Sequence, residues 1–189
     1  MAVDLFPIAI DSGYLDPMPW AKELKTQTMA ARTSHYYSEN TNVLAEYPQI
    51  AQQLETIAQA YAEEHLGIRD QLYICLSWVN RYTAGDWVER HNHHNSIVSG
   101  CWYVDTPPTT IVFHKADAAQ GPGWRTRLDL IAGPSRHVAI PVEQGQVLVW
   151  PSDLEHSVPL VCDGERWSLA FNTWVVGSWG SRFHKVNRA

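Results

Sequence analysis

Cysteine, basic charge and long apolar runs are scarce in this chain of 189 residues. The three cysteines, Cys75, Cys101 and Cys162, are odd in number and far apart, which argues against a disulfide framework and favours a reducing compartment. Lys and Arg total 14 against 20 Asp and Glu, and without a basic stripe nucleic acid is a poor candidate partner. No run approaches the roughly 18 apolar residues of a membrane span, and the start does not resemble a signal peptide. A cytoplasmic protein is therefore expected.

The length fits one domain over residues 1–189, in which the sequence pattern changes near residue 70. Residues 17–30 and 42–66 are predicted to be helices that form an N-terminal support, and Gly67 stands where a C-cap belongs. The predicted strands of the remaining core, residues 71–180, are 73–82, 87–91, 96–104, 109–114, 125–130, 137–140, 146–150, 157–161 and 167–176. Residues 116–124 are predicted to form a mobile loop. Strands this short and numerous predict a mainly β fold of the sandwich, jelly-roll or barrel type.

Three histidines have the spacing of a metal site. If a strand ends at His91, His93 points to the same face because strand side chains alternate, and His156 from a later strand can complete a triad. Three protein ligands leave positions open for a cosubstrate and dioxygen, as a catalytic metal requires. His94 falls on the opposite face, and Glu89 is the next candidate ligand if His93 is not one. The other histidines are expected to be ordinary surface or hydrogen-bonded side chains: His35, His65, His114, His137 and His184.

Arg166 and Ser168 lie ten and twelve residues after His156. On a strand both side chains share one face, where an arginine with a neighbouring hydroxyl can bind a carboxylate. The alternative is an exposed arginine paired with Glu165 or Asp163, which would contribute little. The nearby histidines favour the first interpretation, in which a metal lies beside a seat for a dicarboxylate.

Several segments together resemble the iron(II)- and 2-oxoglutarate-dependent oxygenases, and more narrowly a family of such oxygenases known from marine bacteria and phages. They are DLFPIAI near the start, SWVN at 77–80, HNHHNSIVSGCWYV at 91–104, GQVLVWPSDLEHSVPL at 145–160 and RWSLAFN at 166–172. The resemblance covers most of the chain and is strongest in residues 91–104 and 145–172. It implies a double-stranded β-helix, a jelly roll similar to that of cupins, braced by the N-terminal helices.

The resemblance also implies site residues. His91 matches the first iron ligand, His156 the distal ligand, and Arg166 with Ser168 the pair that binds the far carboxylate of 2-oxoglutarate. Tyr103 matches a tyrosine whose hydroxyl reaches the same carboxylate in prolyl-hydroxylase-like relatives. Residues that could orient a ligand or substrate through an amide are Asn80, Asn95 and Asn172.

One position departs from the wider superfamily, since His93 stands where an Asp or Glu is usual. Within the narrower family an HxH pair looks normal, so the departure does not indicate a dead enzyme. A neutral imidazole makes the site one charge more positive, which weakens the hold on Fe(II) but favours a dianionic chelating cosubstrate. The reaction implied is oxidation, most simply hydroxylation, of a substrate with conversion of 2-oxoglutarate to succinate and carbon dioxide.

Two other functions stay open at the level of sequence. Gly85-x5-His91-x-His93 and Gly145-x5-Pro151-x-Asp153-x2-His156 also resemble the two cupin motifs, which would make the protein a three-histidine dioxygenase that needs no 2-oxoglutarate. In a dioxygenase that needs no 2-oxoglutarate, Arg166 would have no carboxylate to bind. The second is a noncatalytic metal- or ligand-binding module whose surface uses the nine tryptophans, although four on predicted strands are expected in the core: Trp78, Trp102, Trp150 and Trp174.

The substrate is not specified by the sequence, and a small molecule and a peptide both fit the aromatic composition. Trp174 and Trp179, near the C-terminal end, could face the core or a partner, which leaves a homodimer open.

Overall fold

The computed structural model describes residues 7–114, 137–179 and 186–187. The predicted strand at 125–130, the predicted loop at 116–124 and His184 lie outside the described residues. Two antiparallel sheets face each other, and a small two-stranded ribbon joins Ser178–Trp179 to Val186–Asn187. Among these residues, none of the helices combines the length and the apolar character needed to cross a membrane.

The major sheet has seven strands. In chain order they are β1 (Asp11–Tyr14), β2 (Met29–Ala31), β3 (Tyr36–Ser38), β4 (Leu72–Tyr82), β6 (Val98–Asp105), β9 (Gln146–Pro151) and β11 (Arg166–Val175). The spatial order is β1-β9-β6-β11-β4-β3-β2. The central strands β4, β6 and β11 carry side chains buried on both faces, because the sheet is covered on one side by a helix and on the other by the second sheet.

The minor sheet has four strands: β5 (Val88–His91), β7 (Thr109–His114), β8 (His137–Val142) and β10 (His156–Val158). Their spatial order is β5-β10-β7-β8. From β4 to β11 the chain moves back and forth between the sheets, which is the double-stranded β-helix, or jelly roll. This confirms the predicted fold class.

The long helix α2 (Pro48–His65) packs on the outer face of the major sheet. Pro48 occupies its first turn, where a missing N–H costs nothing, and Gly67 follows its end with a φ of +66°. Its buried residues recur with helical spacing and meet alternate residues of the central strands, such as Trp102 and Leu169. The predicted helix over 42–66 is confirmed, with its first turn forming a separate 3-10 helix, Val43–Glu46.

The predicted helix over 17–30 is wrong for most of its length. The helix α1 covers only Ala21–Leu24, and Leu24 is its one buried residue, so an apolar face that could stabilise a longer helix is missing. Met29 and Ala30 instead pair with Ser38 and Tyr37 in the β2–β3 hairpin. The N-terminal region therefore adds three strands to the major sheet as well as a supporting helix.

The core strands agree with the predicted ranges to within about two residues, with one exception. The strand expected at 157–161 is β10, which begins earlier, at His156, and ends at Val158. Its early end follows from Pro159, which has no N–H for the sheet ladder.

Candidate metal and cosubstrate site

The three histidines of the predicted triad come together at one end of the two sheets. His91 ends β5, His156 begins β10, and the two residues face each other in the antiparallel register. His93 follows β5 and is held by its backbone N–H, which donates to the Ser152 carbonyl at 2.9 Å. One ligand atom from each of the three side chains lies within 4.8 Å of the other two.

Hydrogen bonds fix the orientation of two of the imidazoles. Nδ1 of His91 lies 2.9 Å from the Glu89 carbonyl, and Nδ1 of His156 lies 3.0 Å from the Leu154 carbonyl. Because a carbonyl oxygen can only accept, Nδ1 must carry the proton in both rings. Nε2 is then left with a free lone pair, which is the usual outer-shell arrangement for a metal-binding histidine.

The site keeps two of its histidines neutral. Burial, followed by the proximity of His91, lowers the pKa of His156 to about 3 and that of His93 to about 4. Neutral imidazole is the form that binds a metal ion, so the apoprotein is prepared for binding at pH 7.

Two neighbours of the triad differ from it in exposure. His94 is exposed, and Glu89, the other candidate ligand, is exposed on β5. Neither belongs to the group of clustered ligand atoms. The donor set in the described residues is thus three imidazoles, which suit Fe(II) among other first-row metals.

Arg166 is a buried cation for which the described residues supply no counter-charge. It begins β11 and is 2% exposed, and among the residues that the structure describes no carboxylate lies within 4.0 Å of it. Nη1 donates to the Thr110 carbonyl at 3.3 Å, while Nε finds no acceptor in residues 7–114 and 137–179. Glu165, one partner of the alternative surface interpretation, pairs with Arg81 instead, at 2.6 Å. A charge buried in this way is costly unless an anion binds to it.

Two tyrosine rings flank the Arg166 guanidinium, whose central carbon lies 5.3 Å from the ring centroid of Tyr82 and 5.1 Å from that of Tyr103. Among the described residues the Tyr103 hydroxyl has no oxygen or nitrogen hydrogen-bond partner, and the neighbouring Cys101 thiol offers only a weak hydrogen bond. Burial raises the pKa of Tyr103, which keeps the phenol neutral and able to donate. Unsatisfied N–H and O–H donors around one buried cation fit an anionic group.

A cavity of about 750 Å³ joins the histidine triad to Arg166 and Ser168. The register of the major sheet places Ser168 opposite both Asn80 and Tyr103, so these side chains share one face of the sheet. Tyr103 does not line the cavity itself. The arrangement can hold a metal ion at one end and a carboxylate at the other.

The three candidate asparagines have different positions. Asn80 and Asn172 line the cavity: the Asn80 side-chain oxygen accepts from Trp78 Nε1 at 3.1 Å, and that of Asn172 accepts from the Ser99 hydroxyl at 2.7 Å. Asn95 is exposed in a turn with a φ of +66°, away from the cavity lining.

Several cavity residues were not singled out by the sequence. His35, expected to be ordinary, stacks on Tyr82 with 5.1 Å between ring centroids and lines the cavity, and burial lowers its pKa. Trp78, expected in the core, is partly exposed to the cavity, whereas Trp102 and Trp150 are buried as expected. His35 and Trp78 lie on or beside the β3–β4 pair. No sequence signal identified His35, because β3 has only three residues.

Comparison with solved structures places this architecture among 2-oxoglutarate oxygenases. HygX from Streptomyces hygroscopicus, solved with nickel and 2-oxoglutarate, has 14% identity and a TM-score of 0.64, covering 88% of this chain and 82% of HygX. A Pseudomonas putida prolyl-4-hydroxylase has 15% identity and a TM-score of 0.56, covering 87% and 92%. A 2OG-Fe(II) oxygenase-family oxidoreductase from Burkholderia pseudomallei has 12% identity and a TM-score of 0.61, covering 83% and 76%. At sequence identities this low, the structural similarity establishes the fold alone.

The family follows from the sequence match. The model of the family described as "Putative 2OG-Fe(II) oxygenase" matches residues 76–172, which include all three histidines, Arg166 and Ser168. The chain belongs to this family and is an oxidoreductase that depends on Fe(II) and 2-oxoglutarate. No curated protein matches the chain.

Proposed function

We propose that the protein hydroxylates a small-molecule substrate, with Fe(II) bound by His91, His93 and His156 and with release of succinate and carbon dioxide. We assign Arg166 and Ser168, assisted by the Tyr103 hydroxyl, to the far carboxylate of 2-oxoglutarate. The observation that carries the proposal is the buried Arg166, which lies on the same cavity as the histidine triad and meets no carboxylate among the described residues.

Fe(II) and 2-oxoglutarate, when bound, would supply with dioxygen the oxidation of an unactivated C–H bond, in which one oxygen atom enters the substrate and the other enters succinate as 2-oxoglutarate loses carbon dioxide. The protein's own residues position these groups and exclude water. The hydrogen bonds from Nδ1 of His91 and His156 hold both rings with Nε2 toward the metal position. The Trp150 and Phe113 rings pack against His156, with centroids at 4.9 Å and 6.1 Å, and shield it from solvent.

The charge of the site supports coupled binding. Three neutral imidazoles leave the charge of Fe(II) uncompensated, and Arg166 adds a further positive charge. A dianion that chelates the metal and reaches Arg166 neutralises both, so metal and cosubstrate should each strengthen the binding of the other.

The cosubstrate-free dioxygenase and the noncatalytic module explain less of the site. Neither supplies an anion for Arg166, whose burial is then an unexplained cost. A small-molecule substrate is supported by the size of the cavity, about 750 Å³. HygX, of the same fold, has also been solved with hygromycin B bound.

The test is succinate formation from 2-oxoglutarate with Fe(II), ascorbate and oxygen, without added substrate. Slow uncoupled turnover is expected, because the groups proposed to hold both cofactors are already assembled. Metal binding by N-oxalylglycine, an unreactive analogue of 2-oxoglutarate, is measured in parallel. Absence of both succinate and analogue binding would refute the proposal. His94→Ala, an exposed neighbour of the triad, is the matched control and should turn over like the wild type.

A further inference from the structure

A second arginine lines the cavity, far from Arg166. Arg32 follows β2 in the β2–β3 hairpin. In that hairpin Ala30 pairs with Tyr37, which in turn pairs with Asn80 on β4, so these residues share the cavity face of the sheet. The hairpin pairing continues past Ala31, with the Arg32 N–H donating to the His35 carbonyl at 2.8 Å. Arg32, two residues after Ala30, therefore falls on the same face.

The two arginines are too far apart to hold one carboxylate. Strands β11 and β2 are separated by three steps in the sheet order β11-β4-β3-β2. At about 4.8 Å a step, the two strand positions are roughly 14 Å apart. Arg32 is therefore available for a second anionic group while Arg166 holds the cosubstrate.

Arg32 is an exposed arginine that an aromatic ring orients and that has no acidic partner in the described part of the chain. Its guanidinium carbon lies 4.0 Å from the Tyr37 ring centroid, a stacked arrangement that restrains the side chain. Within the described part of the chain no carboxylate lies within 4.0 Å of it, although three other surface cations, Lys25, Arg81 and Arg90, each pair with one.

The rest of the cavity wall near Arg32 is suited to the same kind of ligand. The turn after Arg32 adds the hydroxyl side chains of Thr33 and Ser34, and Glu89 is the one acidic residue among the described lining residues. The turn itself is tied down, because the Trp87 N–H donates to the Ser34 carbonyl at 3.0 Å. This end of the cavity thus offers a fixed cation and donors to an anion.

An apolar path leads from Arg32 to the histidines. Tyr37 and Trp78 line the cavity on the way, and the Trp78 ring lies 5.6 Å from the His93 ring. A molecule whose anionic end meets Arg32 can lie along Trp78 with its far end at the triad.

We propose that the substrate joins a carboxylate or phosphate group to an apolar or aromatic body, and that Arg32, stacked on Tyr37, binds the anionic group. This inference rests on the function proposed above, since it takes the triad as the reacting end of the cavity. It assigns the β2–β3 hairpin to substrate selection.

The test compares phenylalkyl carboxylates of increasing chain length with the phosphate monoesters and the neutral amides that carry the same phenylalkyl groups. Binding is measured by calorimetry on the anaerobic Fe(II) protein saturated with N-oxalylglycine, which blocks the Arg166 seat. The variants are Arg32→Gln and, as the matched control, Arg81→Gln. Arg81 on β4 contacts Tyr36, the neighbour of Tyr37 on β3, with 5.7 Å between its guanidinium carbon and the ring centroid. It does not line the cavity.

The wild type and Arg81→Gln should bind the best carboxylate or phosphate roughly 10-fold or more tightly than its amide. Arg32→Gln should bind the pair about equally, with unchanged thermal unfolding. The relative affinity of carboxylate and phosphate identifies which anion the site prefers. Equal binding of anions and amides by the wild type, or charge preference that survives in Arg32→Gln, would overturn the proposal. Failure of N-oxalylglycine to bind would instead refute the proposed function. In that case the binding of anions and amides by the wild type and by Arg32→Gln is compared in the absence of N-oxalylglycine.

Discussion

Arg166 is the residue with the clearest conflict between stability and function. The residue is 2% exposed, and among the described residues its guanidinium has one backbone acceptor and two aromatic rings around it. In the free protein this arrangement costs folding free energy, because a charge has left water without gaining an opposite charge from the described residues. A bound carboxylate recovers that cost.

Arg166→Met should therefore separate binding from stability. The affinity for 2-oxoglutarate should fall by about 2 to 5 kcal/mol, since the variant leaves a desolvated carboxylate without its partner. The free energy of unfolding of the ligand-free protein should stay the same or rise, as measured by denaturant titration. Metal content should not change, and Arg81→Met, which removes an exposed charge, should leave cosubstrate affinity unaffected. Unaltered cosubstrate affinity in Arg166→Met would remove Arg166 from the site.

His93 is the contested member of the triad, because the wider superfamily has a carboxylate there. Loss of a residue that only hydrogen-bonds to a metal ligand lowers metal affinity roughly 10- to 100-fold. Because His93 is proposed as a ligand itself, His93→Ala should lower Fe(II) affinity by at least this much. Metal analysis after dialysis measures the effect, and the exposed neighbour His94→Ala should retain the wild-type content. Full metal content in His93→Ala would show that His93 is not a ligand, and Glu89 would then be tested in the same way.

Among the elements, the contact between β6 and β11 sets the shape of the sheet beside the site. Gly100 pairs with Phe171, whose ring fills the space where a side chain would stand: a Cβ on Gly100 would lie 2.2 Å from the ring. The ring cannot shift freely, because Phe171 is fully buried beneath α2.

Gly100→Ala should therefore destabilise the protein by about 1 to 3 kcal/mol through overpacking. Adding Phe171→Leu should recover part of that loss, since the smaller side chain makes room for the methyl group, and a double-mutant cycle measures the coupling. Additive effects of the two substitutions, as measured by denaturant unfolding, would contradict this packing.

The elements differ in how well the sequence predicts them, for physical reasons. Strands β4, β6, β7, β9 and β11 alternate or run apolar over at least four residues between Gly, Pro and Asp, and α2 has a helical repeat, so their own residues indicate them. Strands β1 to β3 have three or four residues each, and their partners on β9 and β4 decide their conformation. Local pattern cannot indicate such strands.

The same distinction applies to the site. His91 with His93 and Arg166 with Ser168 are pairs at a spacing of two, which a strand places on one face, so the sequence suggested them. Arg32 and His35 reach the cavity only because β2 and β3 extend the major sheet beyond β4. Their positions depend on strand pairing, which the chain does not show locally.

For the whole molecule, the buried histidines link stability to pH. Burial lowers the folded pKa of His156 to about 3, whereas an unfolded histidine titrates near 6.5. As the pH falls below about 6.5 the unfolded chain gains a proton that the folded protein does not take, so stability is lost progressively until the pH passes about 3. The loss approaches about 1.4 kcal/mol per pH unit for one such group.

His156→Asn should accordingly reduce the dependence of stability on pH. In the presence of a chelator, the free energy of unfolding of the wild type should fall between pH 7 and 5, and the variant should show a smaller slope. Equal slopes in both proteins would mean that His156 is protonated in the folded apoprotein and is less buried than the structure indicates.

The central claim is that one cavity holds Fe(II) on three histidines and 2-oxoglutarate between the metal and Arg166. Anaerobic titration of Fe(II) into the wild-type protein, with and without 2-oxoglutarate, tests it most directly. A visible metal-to-cosubstrate charge-transfer band should appear only when both are present, should saturate at one Fe(II) per chain, and should weaken in Arg166→Met at the same cosubstrate concentration. Stoichiometric Fe(II) binding that gives no such band at saturating 2-oxoglutarate would contradict the account.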